Sequence, residues 1–196
     1  MLEIVILSLG FMIHMWTLPF PFKDLRLDLI VRAFQILFGV VVLCTNARSA
    51  FQMTARSLIA GLCVGSACLL FHIVYNRGIC LRSHELSLDF FCSQIVILGI
   101  QIPAEELLYR GVFFTVLNRL WGPATAILLS VPLSSMTYVA SWRKPLYWAG
   151  AAIVSLFCGL GYYYSGSIWS PMLIHVLNDL GHVTLQERKN LFSKHR

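Results

Sequence analysis

The sequence predicts an all-α fold: a single polytopic membrane domain built as a bundle of about seven transmembrane helices. Three observations carry that expectation. Hydrophobic residues make up 58% of the 196-residue chain and charged residues 12%, whereas a soluble domain carries roughly 25% charged residues. The mean hydropathy is +0.74. Long stretches hold no formal charge at all: neither Ser57 to Asn76 nor Pro145 to Asn178 contains an Asp, Glu, Lys or Arg.

A bilayer core needs about 20 mostly apolar residues per helix. Seven segments satisfy this, roughly 3–20, 28–45, 57–76, 89–118, 123–141, 146–164 and 168–185. The first has Glu3 as its earliest charge, no basic start and no small-x-small site after it, so it reads as a retained helix and not a signal peptide. The second and third follow with Arg48 and Arg56 between them. The fourth runs from Asp89 toward Arg119. The charge-free run after Pro145 is too long for one span and breaks at GYYYSGS, Gly161 to Ser167, into the sixth and seventh.

The net charge of +6 is no sign of nucleic-acid binding, because the basic residues sit in loops and tail, where they set topology. Ten of them fall on one side when loops are taken alternately: Lys23, Arg26, Arg77, Arg82, Arg143, Lys144, Arg188, Lys189, Lys194 and Arg196. Arg48, Arg56 and Arg119 fall on the other. The bias predicts a multi-pass protein of the cell membrane with a cytoplasmic C-terminus and its N-terminus on the far side. The six cysteines show no CxxC pair and no zinc spacing. No repeat or low-complexity stretch is present. Residues 1–80 read as scaffold helices, and the chemistry is confined to 89–185.

Charges inside the bilayer are costly and point to function by default. The stretch PAEELLYRG, Pro103 to Gly111, holds three of them: Glu105, Glu106 and Arg110. Glu106 and Arg110 are spaced i,i+4 with the acid on the N-terminal side, so an ion pair accounts for both. Glu105 points about 100° away on the helical period and has no local cation. A lone carboxylate in a low-dielectric interior suits general acid–base chemistry; a protonated Glu bonded to a neighbouring helix is the equal alternative. Pro103 is expected to start a new helical half, with the carboxylates in its first turn. Arg32, four residues into the second segment, is expected to snorkel to the interface.

His175, Asn178, Asp179 and His182 recur at i, i+3, i+4 and i+7 of the last segment, on one helical face. A polar interhelical seam would explain them. Together with an intramembrane carboxylate they also offer a water-activating base and an oxyanion donor.

EELLYRG is similar to the EExxxR motif of the CPBP family, the CAAX prenyl protease-like, bacteriocin-processing and Abi-type intramembrane proteases. SGSIWSPMLIHVLND, Ser165 to Asp179, resembles that family's HxxxN or HxxxD motif, with its preceding small residue, Trp and Pro. The resemblance covers about residues 89–185. It implies a glutamic-type intramembrane endopeptidase in which Glu105 activates the attacking water, Glu106 and Arg110 support it, and His175 and Asp179 take the oxyanion-stabilising places. An ionised Asp accepts only, so Asn178 or His175 is the alternative donor. The family's second motif, FxxxH, is absent: Tyr138 and Trp142 occupy its Phe and His places, and no histidine lies between Glu105 and His175. Either His182, His72 or His14 fills the role, or peptidase activity is altered or lost.

No cofactor is expected; zinc held by Glu105, His175 and Asp179 is the alternative, although nothing in their spacing demands it. From Asp89, Glu105 lies 16 residues along the fourth segment, about 24 Å. His175 lies about 10 Å from the outer end of the last segment. Both motifs are therefore expected to converge toward the external face. That would suit a membrane-associated or translocated precursor, cleaved at a sorting signal, leader or C-terminal peptide, over a cytosolic CAAX peptide. Membrane lipid and a peptide or protein substrate are the expected partners. An inert member of the fold acting in immunity or membrane assembly is the alternative; a transporter lacks support, because neither internal repeats nor paired broken helices occur.

Overall fold

The computed structural model describes residues 1–17, 25–78, 87–136, 145–186, 188 and 191–192. All regular structure among the described residues is helical: α1 (Leu2–Thr17), α2 (Leu25–Asn46), α3 (Ala55–Tyr75), α4 (Leu88–Val96), α5 (Ile102–Glu106), α6 (Thr115–Ser135), α7 (Pro145–Ser165) and α8 (Trp169–Asp179). A 3₁₀ turn, Arg48–Phe51, links α2 to α3. Wider π-helical turns at Ile97–Gln101, Leu107–Phe114 and Leu180–Gln186 continue α4, α5 and α8.

Three helices among the described residues are long and apolar enough to cross a membrane: Leu25–Asn46, Ala55–Tyr75 and Leu88–Ser135. The third, 48 residues long, is not one rod. Gly122 takes φ 82° and ψ 170°, a conformation only glycine adopts at no steric cost. Pro123 then opens the second limb, where its missing N–H costs little. The break falls between the fourth and fifth expected segments. The turn expected within Gly161 to Ser167 falls at its end, at Gly166, whose φ is +64°.

Polarity is inverted relative to a soluble protein. Phe34, Leu37, Ile59, Phe71, Ile95 and Leu128 are exposed, whereas Gln35, Ser57, Glu106, Arg110 and Ser170 are buried. Lipid solvates such an exterior, and polar groups must then find partners inside. The most enclosed element is Leu107–Phe114, in which all eight residues are buried. It touches α1, α2, α6 and α7.

Two devices place α8 against this core. Ser57, Gly61 and Gly65 of α3 are buried at four-residue intervals. A Cβ on Gly61 would stand 2.8 Å from Leu173 Cβ, and one on Gly65 3.0 Å from Leu173 O. Small residues here let α3 and α8 approach backbone to backbone. The α7–α8 turn docks on the α2–α3 connection: Ile168 N donates to Ala50 O at 2.9 Å, Ser167 Oγ to Gln52 O at 2.8 Å and Trp169 Nε1 to Phe51 O at 2.8 Å.

Candidate active site

The two motifs meet. Glu106 Oε1 lies 2.6 Å from His175 Nδ1, across 69 residues of chain. The same oxygen accepts from Arg110 Nη1 at 3.2 Å, so the i,i+4 ion pair expected in the sequence is formed. Glu106 is 0% exposed. Arg110 Nη2 donates to Ser155 O at 2.7 Å and to Ser155 Oγ at 2.9 Å, and Ser134 Oγ bonds Ser155 Oγ in turn. The wide turn at Leu107–Phe114 frees backbone carbonyls, and Thr115 Oγ1 donates to that of Arg110 at 3.0 Å. Turns of this kind are frequent at functional sites.

On α8, His175 Nε2 stands 3.7 Å from Asp179 Oδ2, beyond hydrogen-bond length. Asn178 Nδ2 donates to Asp179 Oδ1 at 3.0 Å, and Asn178 Oδ1 lies 3.1 Å from His72 Nε2 of α3. His175, Asn178 and Asp179 are all buried. Two carboxylates, one guanidinium and one imidazole thus share a buried interior. With His175 protonated these four charges sum to zero.

Glu105 faces elsewhere. Its Oε1 accepts from Arg32 Nη1 at 2.9 Å. Arg32 Nη1 also reaches Gln35 Oε1 at 3.2 Å, and its Nε lies 3.4 Å from Asp28 Oδ1. Gln101 Nε2 donates to Asp28 Oδ2 at 3.0 Å. The lone carboxylate expected at Glu105 therefore has a cation, supplied by another helix. The snorkelling expected of Arg32 is corrected too: its side chain is 11% exposed and turned inward to Glu105, whose side chain is 15% exposed.

One further expectation is corrected. Pro103 starts no new helical half, because Gln101, Ile102 and Leu107 all stay in the right-handed helical region. The wide turn at Ile97–Gln101 accommodates the ring and the missing N–H instead. His182 bonds Gln186 at 3.1 Å and stacks on His72, the ring that Asn178 also meets. Among the described residues no group of three His, Cys, Asp or Glu is disposed to hold a metal.

Of the other histidines, His14 Nδ1 lies 3.0 Å from the Tyr109 hydroxyl, on the core helix but away from α8. Tyr138 and Trp142, aligned with the missing second motif, lie outside the described residues. Sequence reasoning missed Ser134, Ser155 and Asp28, and passed over Gln35 and Gln101. Asp28 and Arg32 were within reach, as an i,i+4 pair inside an apolar segment. The serines carry no signal that distinguishes them from others in the chain.

The fold and the site define a helical membrane protein with a buried carboxylate–guanidinium–imidazole cluster. Residues 87–181 match the family model for Rce1-like proteins, the type II CAAX prenyl endopeptidases. Over that segment the chain is similar to the CAAX protease-like family, a family of membrane proteases. No curated protein and no solved structure matches the chain.

Proposed function

We propose that the protein is an intramembrane endopeptidase that cleaves a membrane-associated or translocated precursor by glutamate-activated attack of water. The observation that carries this reading is the 2.6 Å contact of Glu106 with His175, which ties the two matched motifs into one site. Glu106 has no exposed surface and is committed to Arg110 and His175. Glu105 is the glutamate with an accessible face, and we assign it the water. Proton uptake by Glu105 would break its ion pair with Arg32, which keeps Asp28 as counter-charge. His175 Nε2 and the Asn178 amide are the donors for the developing oxyanion, and Asp179 orients them. Glu106 and Arg110 fix His175 through its other nitrogen. No step in this scheme uses a metal or other cofactor.

The same reading keeps about seven spans, the cytoplasmic C-terminus and an outward-facing site. The contact between Glu106 and His175 supports a shared depth for the two motifs. Of the basic residues behind the topology, Lys23, Arg82, Arg143, Lys144, Lys189, Lys194 and Arg196 lie outside the described residues. Reporter fusions in the loops at Arg119 and Arg143 test the orientation; a cytoplasmic Arg119 loop would sink it.

Function is tested by comparing processed termini of membrane and exported proteins in cells carrying the wild type or Glu105→Gln. The expected result is accumulation of an uncut precursor in the variant at equal membrane levels of the protein. Identical sets of termini in both would overturn the proposal.

A further inference from the structure

The α3 helix adds a polar side chain to the cluster from outside the matched segment. His72 Nε2 lies 3.1 Å from Asn178 Oδ1. The other end of that amide is committed, since Asn178 Nδ2 donates to Asp179 Oδ1 at 3.0 Å. The carbonyl oxygen therefore faces His72, and an acceptor requires a donor, so the imidazole carries its proton on Nε2. His72 Nδ1 is buried without a hydrogen-bond partner among the described residues, as befits the lone-pair side of a neutral ring.

The ring is held on several sides. It stacks on His182 with centroids 5.4 Å apart and planes 29° apart, and meets Phe71 edge-on at 5.5 Å. Gly181 makes the space: a Cβ there would stand 2.8 Å from His72 Cβ and 2.9 Å from its Cδ2. The small-residue stripe of α3 brings the helix close enough for the contact.

We propose that His72 is a positioning residue: by fixing the Asn178 amide it sets the rotation of the Asp179 carboxylate that faces His175 Nε2. This rests on reading the Glu106–His175 cluster as the active site. Without His72 the amide is free to turn over, Asp179 loses the donor on Oδ1, and the geometry at His175 Nε2 is no longer determined.

The experiment uses the full chain in detergent micelles with ¹⁵N-labelled histidine, and long-range ¹H–¹⁵N correlation, which separates imidazole tautomers. His72 is expected as the single Nε2–H form, its signals identified by their loss in His72→Gln. His72→Phe should shift the ring signals of His175. His72→Gln, whose amide nitrogen reaches the place of Nε2, should restore them, and the shorter His72→Asn should not. An Nδ1–H tautomer for His72, or His175 signals unmoved in a folded His72→Phe protein, would overturn the proposal. Should that variant not fold, Asn178→Ala serves: His72 should then become a tautomer mixture, and a retained pure Nε2–H form would overturn it. None of these readouts needs a substrate. A chain that cleaves nothing would refute the protease mechanism and leave the tautomer result standing.

Discussion

Replacing Arg110 by methionine tests whether buried charge balance holds the bundle together. Arg110 is 2% exposed and Glu106 0%, so solvent does not screen the pair. The guanidinium makes three contacts: Glu106 Oε1 at 3.2 Å, Ser155 O at 2.7 Å and Ser155 Oγ at 2.9 Å. Methionine keeps much of the stem volume, so the cavity contribution is small. What disappears is the counter-charge. Among the described residues Glu106 Oε2 already lacks a hydrogen-bond partner, and Oε1 would keep only His175. Breaking a buried pair by removing one member costs roughly 3–5 kcal/mol. For a chain of this size about 1 kcal/mol moves Tm by about 2–4 °C, which places the expected loss at roughly 6–20 °C. Removing both charges is close to neutral, so Glu106→Gln combined with Arg110→Met should recover most of that loss. The coupling between the two sites should then reach about 2 kcal/mol or more. Thermal unfolding followed by tryptophan fluorescence, with all variants in one detergent, measures both quantities. A single variant within about 1 kcal/mol of the wild type, or a double variant whose loss equals the two singles added, would refute the charge-balance argument.

Other outcomes follow from the same geometry. Gly61→Leu drives a side chain into Leu173 and should cost about 1–3 kcal/mol as overpacking; a Tm equal to that of the wild type would show that α3 and α8 do not meet there. Glu105→Gln should cut precursor processing by about 10²–10⁴-fold while the protein still inserts and elutes as the wild type does. Processing left intact would overturn the proposed mechanism. Trp169→Phe removes the indole donor to Phe51 O and should cost about 1 kcal/mol, read in the same unfolding assay. No loss would show that the α7–α8 turn is held without that bond.

Legibility in the sequence followed the range of the interaction. Contacts four residues apart on a helix were readable: Glu106 with Arg110, and the common face of His175, Asn178 and Asp179. So were helix positions, because lipid imposes composition on every segment. Long-range partners were not. Glu105 looked solitary because its cation is Arg32, 73 residues away. Arg32 looked interfacial because its depth was counted from a segment end, without the partners that draw it inward. His72 was one of three unassigned histidines, and only the approach of α3 to α8 through Gly61, Gly65 and Gly181 singles it out. Local backbone was misread where the helix widens. At Pro103 a π-helical turn replaced the expected break. A fixed 3.6-residue period cannot anticipate it.

The core helix explains why so costly a set of charges is stable in one place. Adjacent glutamates on a helix cannot point to the same neighbour. Glu105 turns toward α2, where Arg32, Asp28, Gln35 and Gln101 form one polar set. Glu106 turns toward α8, where Arg110 and His175 meet it. Each carboxylate is matched by its own guanidinium, one from α2 and one from a helical turn further on. The two sets are therefore separately satisfied by hydrogen bonds. On the proposed mechanism the fully buried ion pair is scaffold, and the partly exposed carboxylate one residue earlier acts on water. It also predicts an asymmetry: charge removal at Glu106 should register first in stability, and at Glu105 first in turnover.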